Sequence, residues 1–136
     1  MNNINLFVNR ILFAIVIMVA GNSHAAESVD FGRQIRPLLA EKCFSCHGLD
    51  SDNRETDMRL DTREGLFAEI DSGGFTVVPG KSAESAIYTR LISDDEDERM
   101  PPADTGKPMT EEEIALVKAW IDSGATWQEH WSLVAP

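Results

Sequence analysis

Apolar positions along the chain fall into four groups, each with its own spacing. The first is an unbroken run, Ile11–Ala20, with Arg10 before it and Ser23-His24-Ala25 after it. A basic flank, a short apolar core and small residues at −3 and −1 predict a secretory signal peptide over residues 1–25, cleaved after Ala25. The run is short for a bilayer span, which needs about 20 apolar residues. In the second group, Phe31, Ile35, Leu38 and Leu39 repeat at i, i+4, i+7 and i+8 and predict a helix capped by Asp30. Pro37 interrupts it, so the helix either kinks there or restarts with Pro37 in its first turn. Both versions deliver the chain to Cys43 as helix.

The third group, between residues 49 and 109, has weak periodicity. Leu49–Thr56 reads as a loop and Met58–Asp61 as a short extended piece. Thr62–Ile70 reads as a short helix with Leu66, Phe67 and Ile70 inward. Asp71-Ser72-Gly73-Gly74 predicts a turn, and Phe75–Val78 alternates too briefly to make a strand. After Pro79-Gly80, Ser82 is placed to cap a helix running to about Ile92, with Ala83, Ile87 and Leu91 inward and Tyr88 beside them. Ser93–Met109 is irregular. Its acidic run, Asp94-Asp95-Glu96-Asp97-Glu98, lacks the spaced ligands and central glycine of a calcium loop and reads as a solvated loop. The run leads into Arg99-Met100-Pro101-Pro102, where two prolines forbid helix right after a methionine.

The fourth group gives the clearest element. Thr110-Glu111-Glu112-Glu113 is a capping box opening a helix with Ile114, Val117, Trp120 and Ile121 on one face, and Gly124 ends it. Trp120 is placed to pack this helix against the first. Residues 26–136 therefore read as one all-α domain of ordinary size, with 127–136 as an apolar tail holding Trp127, His130 and Trp131.

Charge narrows the partners. The chain carries 12 basic and 23 acidic residues; losing Arg10 with the leader leaves 11 basic residues and a formal charge of −12. Such a surface argues against nucleic acid, which needs basic patches. It favours solubility and a basic docking partner.

The chemistry concentrates in Cys43-Phe44-Ser45-Cys46-His47-Gly48, which contains the Cys-x-x-Cys-His attachment signature of c-type haem. On a helical turn, positions i, i+3 and i+4 share a face, so both thiols and the imidazole point the same way. A thioredoxin-like motif should follow a strand, and none precedes Cys43. A structural zinc site needs four ligands; with two cysteines in the chain, His47 would be third and distant His130 fourth. A Cys43–Cys46 disulfide would leave His47 without a role.

Taken in order, the motifs resemble the single-haem class I cytochrome c fold and, more narrowly, the planctomycete-type cytochrome c domain. The residues that carry the resemblance begin with Phe31-x3-Ile35-x-Pro37-Leu38-Leu39, the haem motif and Met58-Arg59-Leu60-Asp61. They continue through Val78-Pro79-Gly80-Lys81-Ser82-x2-Ser85, Met100-Pro101-Pro102, Trp120-Ile121-Asp122-x-Gly124-Ala125 and His130-Trp131. The resemblance implies a small helical domain wrapped around one covalent haem c. Cys43 and Cys46 would form the thioether links, His47 the proximal iron ligand and Met100 the distal one. Independent chemistry favours Met100: Pro101-Pro102 stiffen its backbone and reduce the entropy lost on ligation. Met58 follows the haem motif too closely, Met109 is tied to the Thr110 cap, and His130 lies in the tail.

The other nitrogen of His47 is expected to bond a carbonyl. Arg59, or Lys81 with the amides after Ser82, could neutralise a propionate. Leu38, Leu39, Phe44 and Leu60 are the candidate haem walls. In the family, His-Trp leads into further domains, so residues 127–136 read as a linker or contact surface for a C-terminal partner domain. The expected function is exported, periplasmic or similar, single-electron transfer to a redox partner with a basic docking face, without enzymatic turnover or a membrane span after signal cleavage. The rivals are a haem-containing docking or sensor module and a peroxidase-like protein with an open distal site.

Overall fold

The structure, a computed structural model, describes residues 29–56 and 58–129; the expected signal peptide, His130 and Trp131 lie outside them. The described residues are 44% helical, and their strand-like pairing is limited to two isolated bridges, Glu69 with Phe75 and Phe75 with Ser85. The helices are short, as the broken periodicity between residues 49 and 109 implies. Among the described residues, no helix is long and apolar enough to cross a membrane.

The first helix begins where expected. Asp30 accepts a hydrogen bond from the Arg33 amide at 2.9 Å, satisfying one of the free N–H groups of the first turn. The turn Phe31–Ile35 is π-helical: the Arg36 amide reaches back five residues to the Phe31 carbonyl. Helix α1 (Arg36–Lys42) then starts afresh with Pro37 in its first turn. Of the two expected versions, the chain adopts the restart. Pro37 has no N–H to offer, and a first turn needs none.

After α1 the chain runs through α2 (Phe44–His47), α3 (Arg63–Leu66), α4 (Ala86–Leu91) and α5 (Glu111–Asp122). Helix α3 is shorter than the expected Thr62–Ile70. Thr62 caps it by accepting from the Gly65 amide at 3.2 Å, but beyond Leu66 the backbone leaves for the Glu69–Phe75 bridge. Gly73 and Gly74 make the expected turn with φ of 87° and 88°, a region glycine enters freely. Met58–Asp61 forms no ladder; the Leu60 amide instead bonds the His47 carbonyl at 2.8 Å.

The largest departure concerns Ser82. It opens a one-turn 3₁₀ segment, Ser82–Glu84, and α4 begins only after Ser85. The reason is a contact from 40 residues downstream: Asp122 accepts the Ser82 amide at 3.1 Å. Ser85 then spans the Pro79-Gly80 turn, donating to the Lys81 carbonyl at 2.9 Å and accepting from the Val78 amide at 2.9 Å. Ala83, expected inward, is exposed.

Helix α5 carries the expected capping box, with the Thr110 hydroxyl and Glu113 carboxylate each accepting the other residue's amide at 3.2 and 2.8 Å. Its buried face is Val117, Trp120 and Ile121. The ring of Trp120 lies 5.4 Å from that of Phe31, which also meets Trp127 at 4.6 Å. Tilted pairs at such separations contribute beyond their buried area. The Trp120 indole N–H is satisfied by the Thr126 carbonyl at 3.1 Å. Phe31, Ile35, Leu39, Trp120 and Ile121 are all 2% exposed or less, so the first and last helices share one dry core.

Two lysines tie the end of α1 to the approach of α5. Lys42 donates to the Pro108 carbonyl at 3.3 Å and Lys107 to the Glu41 carbonyl at 3.2 Å. Lys42 also pairs with Glu113 at 3.6 Å.

Candidate functional site

Between this clasp and α4 lies a cavity of about 500 Å³, within the range of about 300–1,000 Å³ usual for small-molecule sites. Cys43, Cys46, His47 and Met100 all border it. The haem motif forms a helical turn, as its spacing requires: the Cys46 and His47 amides bond the Cys43 carbonyl at 3.2 and 2.9 Å. Gly48 closes the motif because a Cβ there would sit 2.3 Å from the Phe44 carbonyl oxygen.

Cys43 and Cys46 are free thiols. Burial pushes the Cys43 thiol up to about 12, with Cys46 adding to the shift and Lys42 opposing it. A neutral thiol is a poor nucleophile, so burial does not favour thiolate chemistry at Cys43. Burial holds His47 below the usual imidazole range, against a hydrogen bond to the Met58 main chain; Arg90 lowers it further and Glu55 opposes. The imidazole is thus neutral, the form that ligates a metal. The Thr56 hydroxyl, which the sequence reading missed, also lies 3.4 Å from Nδ1 and accepts the Met58 amide at 3.2 Å. With Nδ1 so engaged, Nε2 is the nitrogen left for iron.

Met100 reaches the cavity from another element. Its amide donates to the Arg90 carbonyl at 3.0 Å, anchoring the Met100 loop to the end of α4, and Pro101 and Pro102 border the cavity beside it. Met58 borders the cavity too. Met109 packs against the core and does not line the cavity.

Several expected contacts are absent from the site. Of the four haem-wall candidates only Leu60 borders the cavity; Leu38 and Leu39 pack into the helical core, and Phe44 packs partly buried against it. Ile70, Ile87 and Leu91 supply apolar wall instead. Lys81 is paired with Glu84, and the Ser82 amide is held by Asp122, so neither is free for a propionate. Arg59 borders the cavity but is bound by both nitrogens to Asp61, at 2.6 and 2.9 Å. The acidic run folds on itself: the Asp97 amide bonds the Asp95 carboxylate at 3.0 Å. Among the described residues, no three His, Cys, Asp or Glu side chains gather as metal ligands.

The donor set fits haem. Two thiols on one helical turn match the attachment points of a covalently held haem, and the imidazole on that turn with a thioether on another wall matches a pair of iron ligands. The volume and the apolar walls suit a porphyrin. Thr76 borders the cavity too, and its buried hydroxyl has no hydrogen-bond partner among the described residues.

Such a cavity is of the kind that a c-type cytochrome requires. The family model described as Planctomycete cytochrome C matches residues 43–104, the family that the motifs resemble. No curated protein and no solved structure gives a match. A cytochrome c match implies covalent haem c with iron and electron transfer as the general role.

Proposed function

We propose that the protein is an exported monohaem cytochrome that passes single electrons through an iron ligated by His47 and Met100. One observation carries the reading: a single cavity gathers Cys43, Cys46, His47 and Met100 from two separate elements. Haem supplies a metal that changes charge by one electron, and the chain supplies the rest. Cys43 and Cys46 hold the group covalently. Thr56 and the Met58 main chain fix the His47 ring. The Arg90 carbonyl and the two prolines hold Met100 in place, and a thioether ligand favours the reduced metal and raises the potential. His47 and Met100 would both be taken up in holding the iron, which would leave no place there for a substrate. The charge of −12 expected for the exported chain suits a redox partner with a basic docking face.

Expression with c-type maturation machinery should give one haem per chain that survives acid–acetone extraction, and Cys46→Ala should reduce that linkage to background. Recovery of haem-free protein from the native host would overturn the reading. Met100→Ala should remove the sulfur-to-iron charge-transfer band of the oxidised protein, lower the potential and admit carbon monoxide on reduction. A wild-type protein that already binds carbon monoxide would instead favour the open-site alternative.

A further inference from the structure

Arg99 directly precedes Met100 and follows five consecutive carboxylates, Asp94 to Glu98. It nevertheless enters none of the ion pairs found among the described residues. Its guanidinium donates instead to two successive main-chain carbonyls, Nε to Ser93 at 2.7 Å and Nη2 to Asp94 at 3.2 Å. Both carbonyls belong to the stretch where the chain leaves α4, a place where a basic side chain is a favoured partner. The main chain closes the same loop. The Arg99 amide bonds the Asp95 carbonyl at 2.9 Å, and the Met100 amide bonds the Arg90 carbonyl at 3.0 Å. Residues 91–99 therefore leave α4 and return to its last turn, with Met100 at the point of closure. Arg99 itself is exposed and does not border the cavity, whereas Met100 does.

We propose that Arg99 is a positioning residue for Met100, fixing the loop on the N-terminal side of the thioether as Pro101 and Pro102 stiffen it on the other. The proposal rests on Met100 being an iron ligand, as put forward above. A thioether is a neutral, weak donor, so its bond to iron persists only if little freedom is lost in forming it. A guanidinium holds its N–H groups in one rigid plane, so bonding two carbonyls fixes direction as well as distance. The Met100 amide alone supplies one bond at the base of the loop. Arg99 adds two more one residue away, and they tie the end of the loop back to its beginning.

The test uses the haem-loaded protein and reads how readily Met100 leaves the iron. Imidazole added to the oxidised protein competes for the distal position, so its apparent affinity rises with the fraction of chains whose Met100 is detached. Arg99→Ala should raise that affinity about three- to tenfold, the range for losing exposed charge-assisted hydrogen bonds. It should also weaken the sulfur-to-iron charge-transfer band and speed exchange of the Met100 amide, while the Trp120 and Ile121 amides stay protected and the haem stays covalently bound. Arg99→Lys, with one nitrogen for two carbonyls, should restore part of each readout. Adding Glu96→Gln to Arg99→Ala returns the loop to its original charge, and most of the effect should persist. Should Arg99→Ala fail to load haem, Arg99→Gln is read in the same way. Imidazole affinity and Met100 exchange left at the wild-type level would overturn the assignment, and so would full recovery on adding Glu96→Gln. Either result leaves the cytochrome reading standing. A wild-type protein without the charge-transfer band would overturn Met100 as the ligand first, and the role of Arg99 with it.

Discussion

Where the π-turn and α1 meet α5, large side chains find partners within the chain. Phe31 lies between Trp120 and Trp127, the Trp120 indole N–H has its carbonyl, and Arg36 sits 5.7 Å over the Trp127 ring. Around the cavity the opposite holds. Helices α2 and α3 have four residues each and α4 has six, too few to hold without packing. Their cavity-facing residues border space, and one buried hydroxyl is left unpaired. The helical frame is complete in itself, whereas the cavity wall leaves room for the haem proposed above. The difference separates residues kept for packing from residues kept for the ligand.

That contrast can be broken experimentally. Trp120→Ala should be the most severe change, costing about 3–5 kcal/mol in urea unfolding. If the frame is independent of the ligand, the loss should be similar with and without haem; a loss confined to the haem-loaded form would merge the two regions. Gly65→Ala should cost less, about 1–3 kcal/mol. A Cβ at Gly65 would lie 2.1 Å from the Arg59 carbonyl oxygen, so the backbone itself must move. Because Gly65 borders the cavity, altered amide exchange should centre on α3 and the haem spectrum should shift, while α5 remains protected.

The smallest effect belongs to Asp122, whose carboxyl is held down to about 2, first by Lys118 and then by Ser82. A folded value below the ordinary 3.8 stabilises the protein above about pH 4, and that contribution fades as pH falls toward 2. The pair is largely exposed, so salt should weaken the effect. Asp122→Asn should narrow the difference between urea midpoints at about pH 5 and pH 2.5. An unchanged difference would remove Asp122 as the lock on Ser82.

The frame was largely legible because its signals are local. The Asp30 cap, the stripe from Phe31 to Leu39 and the Thr110 capping box each declare themselves within one or two turns. The haem motif is equally local, and Met100 stands out by the prolines after it. The wall was harder to read. Ser82 resembles a cap until Asp122 takes its amide. Leu38 and Leu39 lie close to the motif in sequence, yet the restart at Pro37 belongs to a helix that packs into the dry core. Thr56 carries no pattern of its own; its place beside His47 follows from how the chain turns after the haem motif.

The two-lysine clasp has a consequence for how such a domain can be assembled. It joins residues 41 and 42 to residues 107 and 108, and residues 43–104, the segment matched by the family model, fall just inside those joints. The stretch that holds the cofactor therefore leaves the helical frame and returns to it at nearly the same place. Closing a longer flexible loop between fixed ends adds only slowly to the entropic cost, about 0.6 kcal/mol for each doubling of its length. Insertions between residues 50 and 55, or changes in the acidic run, can therefore lengthen the stretch without altering the distance the frame must span. In architectural terms the domain is a two-helix buckle carrying an exchangeable cassette.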